Sequence, residues 1–245
     1  MDAIEVNRRI PFSAMFNFRD VGGYPGHDGR TVRWGRLYRS DSPHRLDGAD
    51  LEAFTALGIR TVIDLRRPSE VERDGRVPEQ DGLAYRHIHP EHVDWGERPY
   101  RQGEDLPRYL ADRYADLADT GAAGLAEAVG LIADETNAPV LVHCVAGKDR
   151  TGLVCGLTLA ALGVSDAEIA ADYALSTEAA ARFQAWFAST GQQMRAGLPP
   201  LTTPATAMTL FLTELRQRYG TVADYLRRAG LTDAQLTALR EHLLE

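Results

Sequence analysis

The apolar residues of the first half of the chain fall into short runs that glycine and proline separate. Residues 61–65 and 140–143 are short, mostly apolar runs with the length of a buried strand. Residues 85–89 alternate between apolar and polar side chains, which indicates a strand with one face near solvent. The pattern therefore predicts three strands of a buried sheet.

Helical patterns lie between these strands. Asp47 is a candidate N-cap for a helix that continues through Leu57 and stops at Gly58. Residues 106–135 predict one or two helices, with a break near Gly121 and Gly124. Strands that alternate with helices are typical of an α/β fold in which helices flank a central sheet.

The second half of the chain is wholly helical in pattern after residue 143, apart from a Gly/Pro break at 197–200. The predicted helices cover residues 150–162, 165–189, 204–219, 222–229 and 232–244. Ser165 with Glu168 and Thr232 with Gln235 have the spacing of capping boxes. We expect one domain over 1–245, with an α/β core at 1–163 and a C-terminal helical extension at 164–245.

Composition and charge narrow the choice of partners. The chain has 245 residues, 44% of them hydrophobic and 25% charged, and a formal net charge of -8. This charge disfavours nucleic acid and anionic membrane surfaces, so an anionic ligand needs local positive charge. The start has no basic segment followed by an apolar run, and no stretch approaches the roughly 18 apolar residues of a membrane span. We expect a cytoplasmic protein without stable membrane insertion; secretion without a signal stays an alternative.

Cysteine and histidine usage indicates neither a disulfide framework nor a metal site. The chain contains two cysteines, and no CxxC pair is present. Cys155 lies in an apolar helical segment, where it is expected to pack in the core. His87, His89 and His92 have no converging set of acidic ligands, so no metal and no cofactor are expected.

The segment with the clearest chemistry is residues 143–152, His-Cys-Val-Ala-Gly-Lys-Asp-Arg-Thr-Gly, which we call the cysteine loop. It follows a buried strand and opens a helix, where unpaired backbone N–H groups and the helix dipole bind anions. Gly147 permits a conformation in which successive amides point inward. Cys144 and Arg150 can then flank one tetrahedral phosphate, which the guanidinium grips with two donors.

These residue types predict nucleophilic catalysis at phosphorus. The helix N-terminus and the cations Arg150 and Lys148 favour the thiolate of Cys144, whose attack would form a phosphocysteine intermediate that water hydrolyses. Thr151 can donate its hydroxyl to the sulfur. A Walker A loop is excluded because Asp149 stands where that motif needs Ser or Thr.

The leaving oxygen also needs a general acid, for which three aspartates compete. Asp149 lies within the cysteine loop, and a bound phosphate dianion would help it to keep a proton. The alternative is that Asp149 only hydrogen-bonds loop amides. Asp64, at the end of a neighbouring strand, is the second candidate, although it can instead pair with Arg66. Asp94, in a Gly/Trp-containing loop, is the third.

The cysteine loop matches the HCxxGKDRTG signature, and on it the chain resembles the bacterial tyrosine-phosphatase-like family, which includes secreted mycobacterial and listerial enzymes. Further blocks resemble that family in the same order, namely residues 17–24, 35–41, 57–66, 172–176 and the ending from 219 to 243. The resemblance implies a phosphotyrosine-phosphatase-like fold, with Cys144 as nucleophile and Arg150 as phosphate clamp.

The resemblance also bears on the substrate. It implies phosphotyrosine, phosphoserine/threonine or phosphoinositide substrates and phosphate as product. Val145, Ala146, Gly147 and Lys148 would line the phosphate site, and Lys148 would suit a polyanionic head group. Some members cover the site with helices, so residues 177–205 are either such a lid or ordinary packing.

Other functions and roles remain as alternatives. A sulfurtransferase or arsenate reductase would need a partner thiol, for which Cys155 is badly placed, and a non-catalytic phosphate-binding module would have no need of a nucleophile. Arg19, Asp20, Arg39 and Asp41 lie at predicted strand ends, which border the ligand crevice of an open α/β sheet. We expect Arg19 to help bind substrate, but each of the four can also belong to a structural ion pair.

Overall fold

A computed structural model describes residues 8–191 and 197–245, and within them five short strands form one sheet. The strands are β1 (Arg19–Asp20), β2 (Leu37–Ser40), β3 (Thr61–Asp64), β4 (Ala84–His87) and β5 (Val140–His143). Their order is β1-β2-β5-β3-β4; β1 is antiparallel to β2, and the other neighbours are parallel. The three predicted strands are confirmed, although β4 ends at His87.

The central strand β5 is buried on both faces. Its side chains alternate between two apolar clusters, with Val140 and Val142 in the larger cluster and Leu141 in the smaller one. Ile63 and Val62 of β3 divide between the clusters in the same way. Such two-sided burial explains the mostly apolar runs, because a strand covered by helices on both faces has no polar side.

Ten α-helices surround this sheet within the described ranges. They are α1 (Gly48–Ala56), α2 (Pro68–Asp74), α3 (Leu106–Thr120), α4 (Ala122–Ala133), α5 (Arg150–Ala161), α6 (Asp166–Ala174), α7 (Ala180–Ser189), α8 (Ala205–Tyr219), α9 (Val222–Arg228) and α10 (Asp233–Leu243). Gly121 separates α3 from α4, as predicted. The capping box of Thr232 and Gln235 is complete, whereas at Ser165 the side chain accepts the Glu168 N–H and donates to the Glu168 carboxylate. Among the described residues, no helix combines the length and apolar character that crossing a membrane requires.

One local expectation is confirmed in position and one was wrong. Asp47 takes the expected N-cap position of α1, although its side chain makes no capping hydrogen bond. The single helix expected over 165–189 is interrupted by a 3-10 segment, Leu175–Ala179. There the Thr203 backbone N–H donates to the Thr177 hydroxyl at 2.8 Å, so a tertiary contact competes with regular helix geometry.

The helices after residue 164 share the core of the α/β layer. α8 packs against α3 and α6, and α10 packs against α4. The larger apolar cluster accordingly runs from Val21 to Leu244 and includes residues of both halves. Leu244 also forms an isolated β-bridge with Val32, which brings the end of the chain back to its first third.

Candidate active site

The cysteine loop leaves the sheet at the carboxyl edge of three parallel strands. In this register the last residue of β5, His143, lies between Ser40 of β2 and Asp64 of β3. The loop then turns directly into α5, whose first residue is Arg150. The expected strand, loop and helix order is therefore present, and the unpaired N–H groups of the α5 N-terminus face the loop.

Hydrogen bonds hold the carbonyl groups of the cysteine loop on its outer side. The Asn17 side-chain amide donates to the carbonyl oxygens of Ala146 at 3.0 Å and Gly147 at 3.1 Å. Arg39 donates to the Gly147 carbonyl at 2.9 Å, and a backbone N–H beyond β2 donates to the Val145 carbonyl at 3.1 Å. In a trans peptide the N–H points opposite to the C=O, so three successive N–H groups turn toward the inside of the loop.

Gly147 is required for this arrangement. Its φ is +66°, in the left-handed region that L side chains rarely adopt. A Cβ at this position would lie 2.2 Å from the carbonyl oxygen of Ser40. The loop can therefore press against the end of β2 only with glycine here.

Arg150 is held by a carboxylate that the sequence did not single out. Its Nη1 lies 2.6 Å from Oε2 of Glu70, its Nη2 lies 3.2 Å from Oε1, and Nη1 also donates to the Leu65 carbonyl at 3.1 Å. Glu70 also accepts the Arg67 backbone N–H at the start of α2. Burial opposes ionisation of Glu70, but Arg150 outweighs it and lowers the pKa of this carboxyl. The guanidinium is thus oriented beside Cys144.

A buried ion-pair network supports the loop from behind. Arg19 and Arg39 share the carboxylate of Asp172 on α6, at 2.9 Å and 2.5 Å. Burial opposes ionisation of Asp172, but the two guanidiniums lower its pKa to about 2. Arg19 also donates to the Asn17 side chain at 2.5 Å.

Arg19 therefore does not lie in the substrate site, where it was expected. Its guanidinium is directed to Asp172, Asn17 and the Ser176 hydroxyl, and it does not belong to the described residues that line the pocket. It reaches the site only through residues that position the loop. Asp41 acts similarly, because it accepts the backbone N–H of Asn17 at 3.0 Å.

Asp64 is poorly suited to act as an acid. It is completely buried, forms a forked pair with Arg66 at 2.6 Å and accepts the Tyr85 hydroxyl at 2.9 Å. Burial opposes its ionisation, but His143 and Arg66 outweigh burial and lower the pKa of Asp64. It also lies outside the pocket lining, so the structure favours the pairing alternative.

Asp149 lies on the pocket wall with Cys144. Its Oδ1 accepts the Tyr114 hydroxyl at 2.7 Å and lies 3.8 Å from the Lys148 ammonium. No hydrogen bond within the described residues joins its carboxylate to a loop amide, so the bonding to amides considered above is not what holds it. Asp94 also lines the pocket, where it is paired with Arg67.

Thr151 does not make the bond expected of it. Its side chain is fully buried, and its Oγ1 has no hydrogen-bond partner among the described residues. The hydroxyl is therefore held near the loop without a hydrogen bond to the Cys144 sulfur.

The pocket over the loop is a cavity of about 520 Å³. We call the cysteine loop and the charged side chains that line this cavity its floor, and the apolar side chains that line it its rim, namely Trp95, Leu117, Phe183, Phe187, Leu198, Pro199 and Leu201. The Lys148 ammonium donates to the Pro200 carbonyl at 3.2 Å, which ties the floor to the rim. Residues 192–196 of the segment considered as a lid lie outside the described residues.

Glu70, Tyr114 and Tyr173 had no predicted role. Glu70 pairs with Arg150 and Tyr114 with Asp149, and the hydroxyl of Tyr173 bonds that of Tyr114. Glu70 carried one usable signal, since it is the third residue of a helix that begins with Pro68 right after a buried strand. The two tyrosines sit on the apolar faces of their helices, so their sequence pattern indicates only core packing.

Comparison with known proteins finds a family and relatives that match nearly the whole chain. The profile described as the tyrosine phosphatase family matches residues 10–245. A Cupriavidus necator protein assigned to the tyrosine-protein phosphatases is 31% identical over 99% of this chain and 90% of its own. The triple specificity protein phosphatase PtpB of Mycobacterium tuberculosis is 32% identical over 97% of this chain and 99% of its own.

The solved structures are less similar to this chain than these relatives are. The core catalytic domain of the PP-IP phosphatase SIW14 from S. cerevisiae is 18% identical, covers 71% of this chain and 83% of its own, and has a TM-score of 0.38. A likeness at this score supports no inference about this chain.

Proposed function

The chain belongs to the tyrosine phosphatase family and is a phosphatase, and from this premise we propose that Cys144 is its nucleophile. The observation that carries the proposal is the outward fixing of three loop carbonyls, which turns the N–H groups of Ala146, Gly147 and Lys148 inward. These donors, the α5 N-terminus and Arg150 form a cradle for a phosphate dianion.

In the first step the Cys144 thiolate attacks phosphorus. The S–P bond forms, the P–O bond to the leaving group breaks, and its electron pair stays on the leaving oxygen. Asp149 donates a proton to that oxygen, since it lies on the wall of the same pocket. Arg150 exchanges part of its pairing with Glu70 for the phosphate oxygens, which it can bind with two donors.

In the second step water hydrolyses the phosphocysteine. Asp149, now a carboxylate, accepts a proton from the attacking water, the P–S bond breaks, and phosphate and the thiolate are released. The hydroxyl of Thr151 is buried beside the loop and unpartnered within the described chain, so it can donate to the sulfur as negative charge returns there.

The substrates we propose are phosphotyrosine, phosphoserine or phosphothreonine in proteins, and phosphoinositides. The aromatic and aliphatic rim suits an aryl group, and Lys148 adds a second cation on the floor. The M. tuberculosis relative is named a triple specificity protein phosphatase, which supports a broad range here. We propose that the protein acts in the cytoplasm, without nucleic acid or stable membrane insertion, on its phosphorylated protein or lipid substrate.

We also propose that residues 177–191 and 197–205 cover the pocket as a lid. Phe183, Phe187 and Leu201 reach its rim, and the Lys148 contact with Pro200 holds the segment near the floor. Leu201→Ala should raise the rate at which iodoacetamide alkylates Cys144. An unchanged alkylation rate would argue that the segment only packs on the core.

The nucleophile is tested by exchanging each cysteine in turn. Cys144→Ser should abolish hydrolysis of p-nitrophenyl phosphate while vanadate still binds, because the cradle stays intact. Cys155→Ser is the matched control: burial raises the pKa of Cys155 to about 11, which makes it an inert thiol, and this variant should keep its activity. Full turnover by Cys144→Ser would refute the proposal.

The substrate range is tested with phosphotyrosine, phosphothreonine and phosphoinositide substrates side by side. Lys148→Ala should lose phosphoinositide turnover more than phosphotyrosine turnover, since one phosphate needs only the cradle and Arg150. Equal losses on all three would show that Lys148 does not discriminate among them.

A further inference from the structure

Three side chains from separate elements form a hydrogen-bonded chain beside the cysteine loop. The Tyr114 hydroxyl on α3 donates to Oδ1 of Asp149 at 2.7 Å, and the hydroxyl oxygens of Tyr114 and Tyr173 lie 2.5 Å apart. A phenol has one proton. Because Tyr114 gives its proton to Asp149, the bond between the tyrosines must be donated by Tyr173. The chain therefore runs in one direction, from Tyr173 to Tyr114 to Asp149.

The surrounding packing keeps the two phenols in place. Both are buried, and the Tyr114 ring stands nearly perpendicular to the rings of Tyr173 and Phe211, at 86° and 88°. A Cβ on Gly152 would lie 3.1 Å from the Tyr173 ring, so glycine at this loop position lets the ring approach. Burial, followed by the charge of Asp149, raises the pKa of Tyr114 well above its ordinary value, and Tyr114 stays a donor at all working pH values.

Within the described residues, the hydrogen bond and the ion pair of the Asp149 carboxyl engage the same oxygen. Tyr114 and the more distant Lys148 ammonium face Oδ1. We propose that Tyr114, supported by Tyr173, is a positioning residue that fixes Oδ1 of Asp149 and leaves Oδ2 to carry the proton for the leaving oxygen. This inference rests on the proposed role of Asp149.

The proposed chain also affects the energy of the proton transfer. When the Oδ2–H bond breaks and the leaving group takes the proton, the electron pair stays on the carboxylate. A hydrogen bond to an ionised acceptor is stronger than one to a neutral acceptor, so the bond from Tyr114 strengthens as the charge develops. No proton passes through the tyrosines, and in the second step water returns a proton to Oδ2.

The test compares Tyr114→Phe with Tyr225→Phe. Tyr225 is an equally buried phenol, and its hydroxyl donates to the Ala118 carbonyl, one turn further along α3. Tyr114→Phe should lower kcat about tenfold on phenyl phosphate, whose leaving group needs a proton, and less than about twofold on 2,4-dinitrophenyl phosphate. Tyr225→Phe should change neither rate.

The leaving-group dependence of kcat provides a readout that a merely structural role would not move. Without the Tyr114 donor, the charge that develops on the Asp149 carboxylate during proton transfer is less stabilised. Across a series of aryl phosphates, kcat of Tyr114→Phe should therefore fall more steeply as the leaving phenol becomes less acidic, while KM stays nearly unchanged. Lys148 and Arg150 also face Asp149 and are unchanged in the variant, so they cannot cause this difference.

A cycle with Asp149→Asn separates failure of this inference from failure of the proposed function. If Tyr114 acts through Asp149, adding Tyr114→Phe to Asp149→Asn costs no further activity. If Asp149→Asn leaves the phenyl phosphate rate unchanged, Asp149 is not the acid and the proposed mechanism fails. If Asp149→Asn lowers that rate but Tyr114→Phe behaves as wild type, only the positioning inference fails.

Folding of the variants is checked by their Tm and vanadate affinity. If Tyr114→Phe is unfolded, Tyr173→Phe takes its place, because it keeps the bond from Tyr114 to Asp149 and removes only its support. It should slow phenyl phosphate more than 2,4-dinitrophenyl phosphate, by a smaller factor than Tyr114→Phe does. An additive loss in the cycle, or equal losses on both substrates, would overturn the inference.

Discussion

Replacing Asp172 by asparagine removes the carboxylate that two buried guanidiniums share. Arg19 and Arg39 are each 1% exposed, and Asp172 is 2% exposed. Removing one partner of a buried ion pair costs about 3 to 5 kcal/mol, because the remaining charge has no compensation. For a chain of this size each kcal/mol lowers Tm by about 2 to 4 °C, so we expect a loss of about 6 to 20 °C in calorimetry.

The control is Asp166→Asn on the same helix. Asp166 pairs with Arg216 at 2.5 Å, but both side chains are about one-third exposed. Exposed pairs contribute less than about 1 kcal/mol, so the Tm of this variant should fall by at most about 4 °C. Equal Tm losses in the two variants would refute the argument that the buried network stabilises the fold.

The same ion-pair network predicts that the stability of the fold depends on pH. The folded-state pKa of Asp172 is lowered to about 2, because Arg19 and Arg39 outweigh the effect of burial. A lowered pKa means that the stabilisation is complete above about pH 4 and is lost as the pH falls toward 2. The Tm difference between wild type and Asp172→Asn should therefore shrink between pH 5 and pH 2.5. A difference that stays constant over this range would contradict the assignment of the charge to Asp172.

Three further changes test the loop itself by steady-state kinetics on an aryl phosphate. Gly147→Ala forces a side chain into a left-handed conformation and against the end of β2, and should lower kcat about 100-fold while the fold survives. Glu70→Gln weakens the fork that orients Arg150 and should lower kcat/KM about tenfold, whereas a wild-type value would mean that Arg150 is held by other groups. Thr151→Val should leave Tm nearly unchanged, since the hydroxyl has no partner among the described residues, but should slow turnover.

The features that could be predicted from the sequence are those that depend on residues close together in the chain. The two-sided burial of β5, the turn at Gly147 and the start of α5 all lie within about twenty residues, so local patterns were sufficient. Pairings over long sequence distances were not predictable from one chain. Glu70 and Arg150 are 80 positions apart, and Arg19 and Asp172 are 153 apart. An arginine at a strand end has the same sequence pattern whether it faces a ligand or a buried carboxylate, which is why Arg19 was expected in the substrate site.

The adjacency of Asp172 and Tyr173 explains why the helical extension belongs to the chemistry of the loop. Consecutive side chains of a helix point about 100° apart, so two neighbouring residues of α6 can reach two different parts of the cysteine loop. Asp172 acts on the first part of the loop, since Arg39, which it holds, donates to the Gly147 carbonyl. Tyr173 acts on the last part through the hydroxyl chain that ends on Asp149. A displacement of α6 would therefore disturb the proposed phosphate cradle and the proposed acid together, because both are fixed to one turn of this helix.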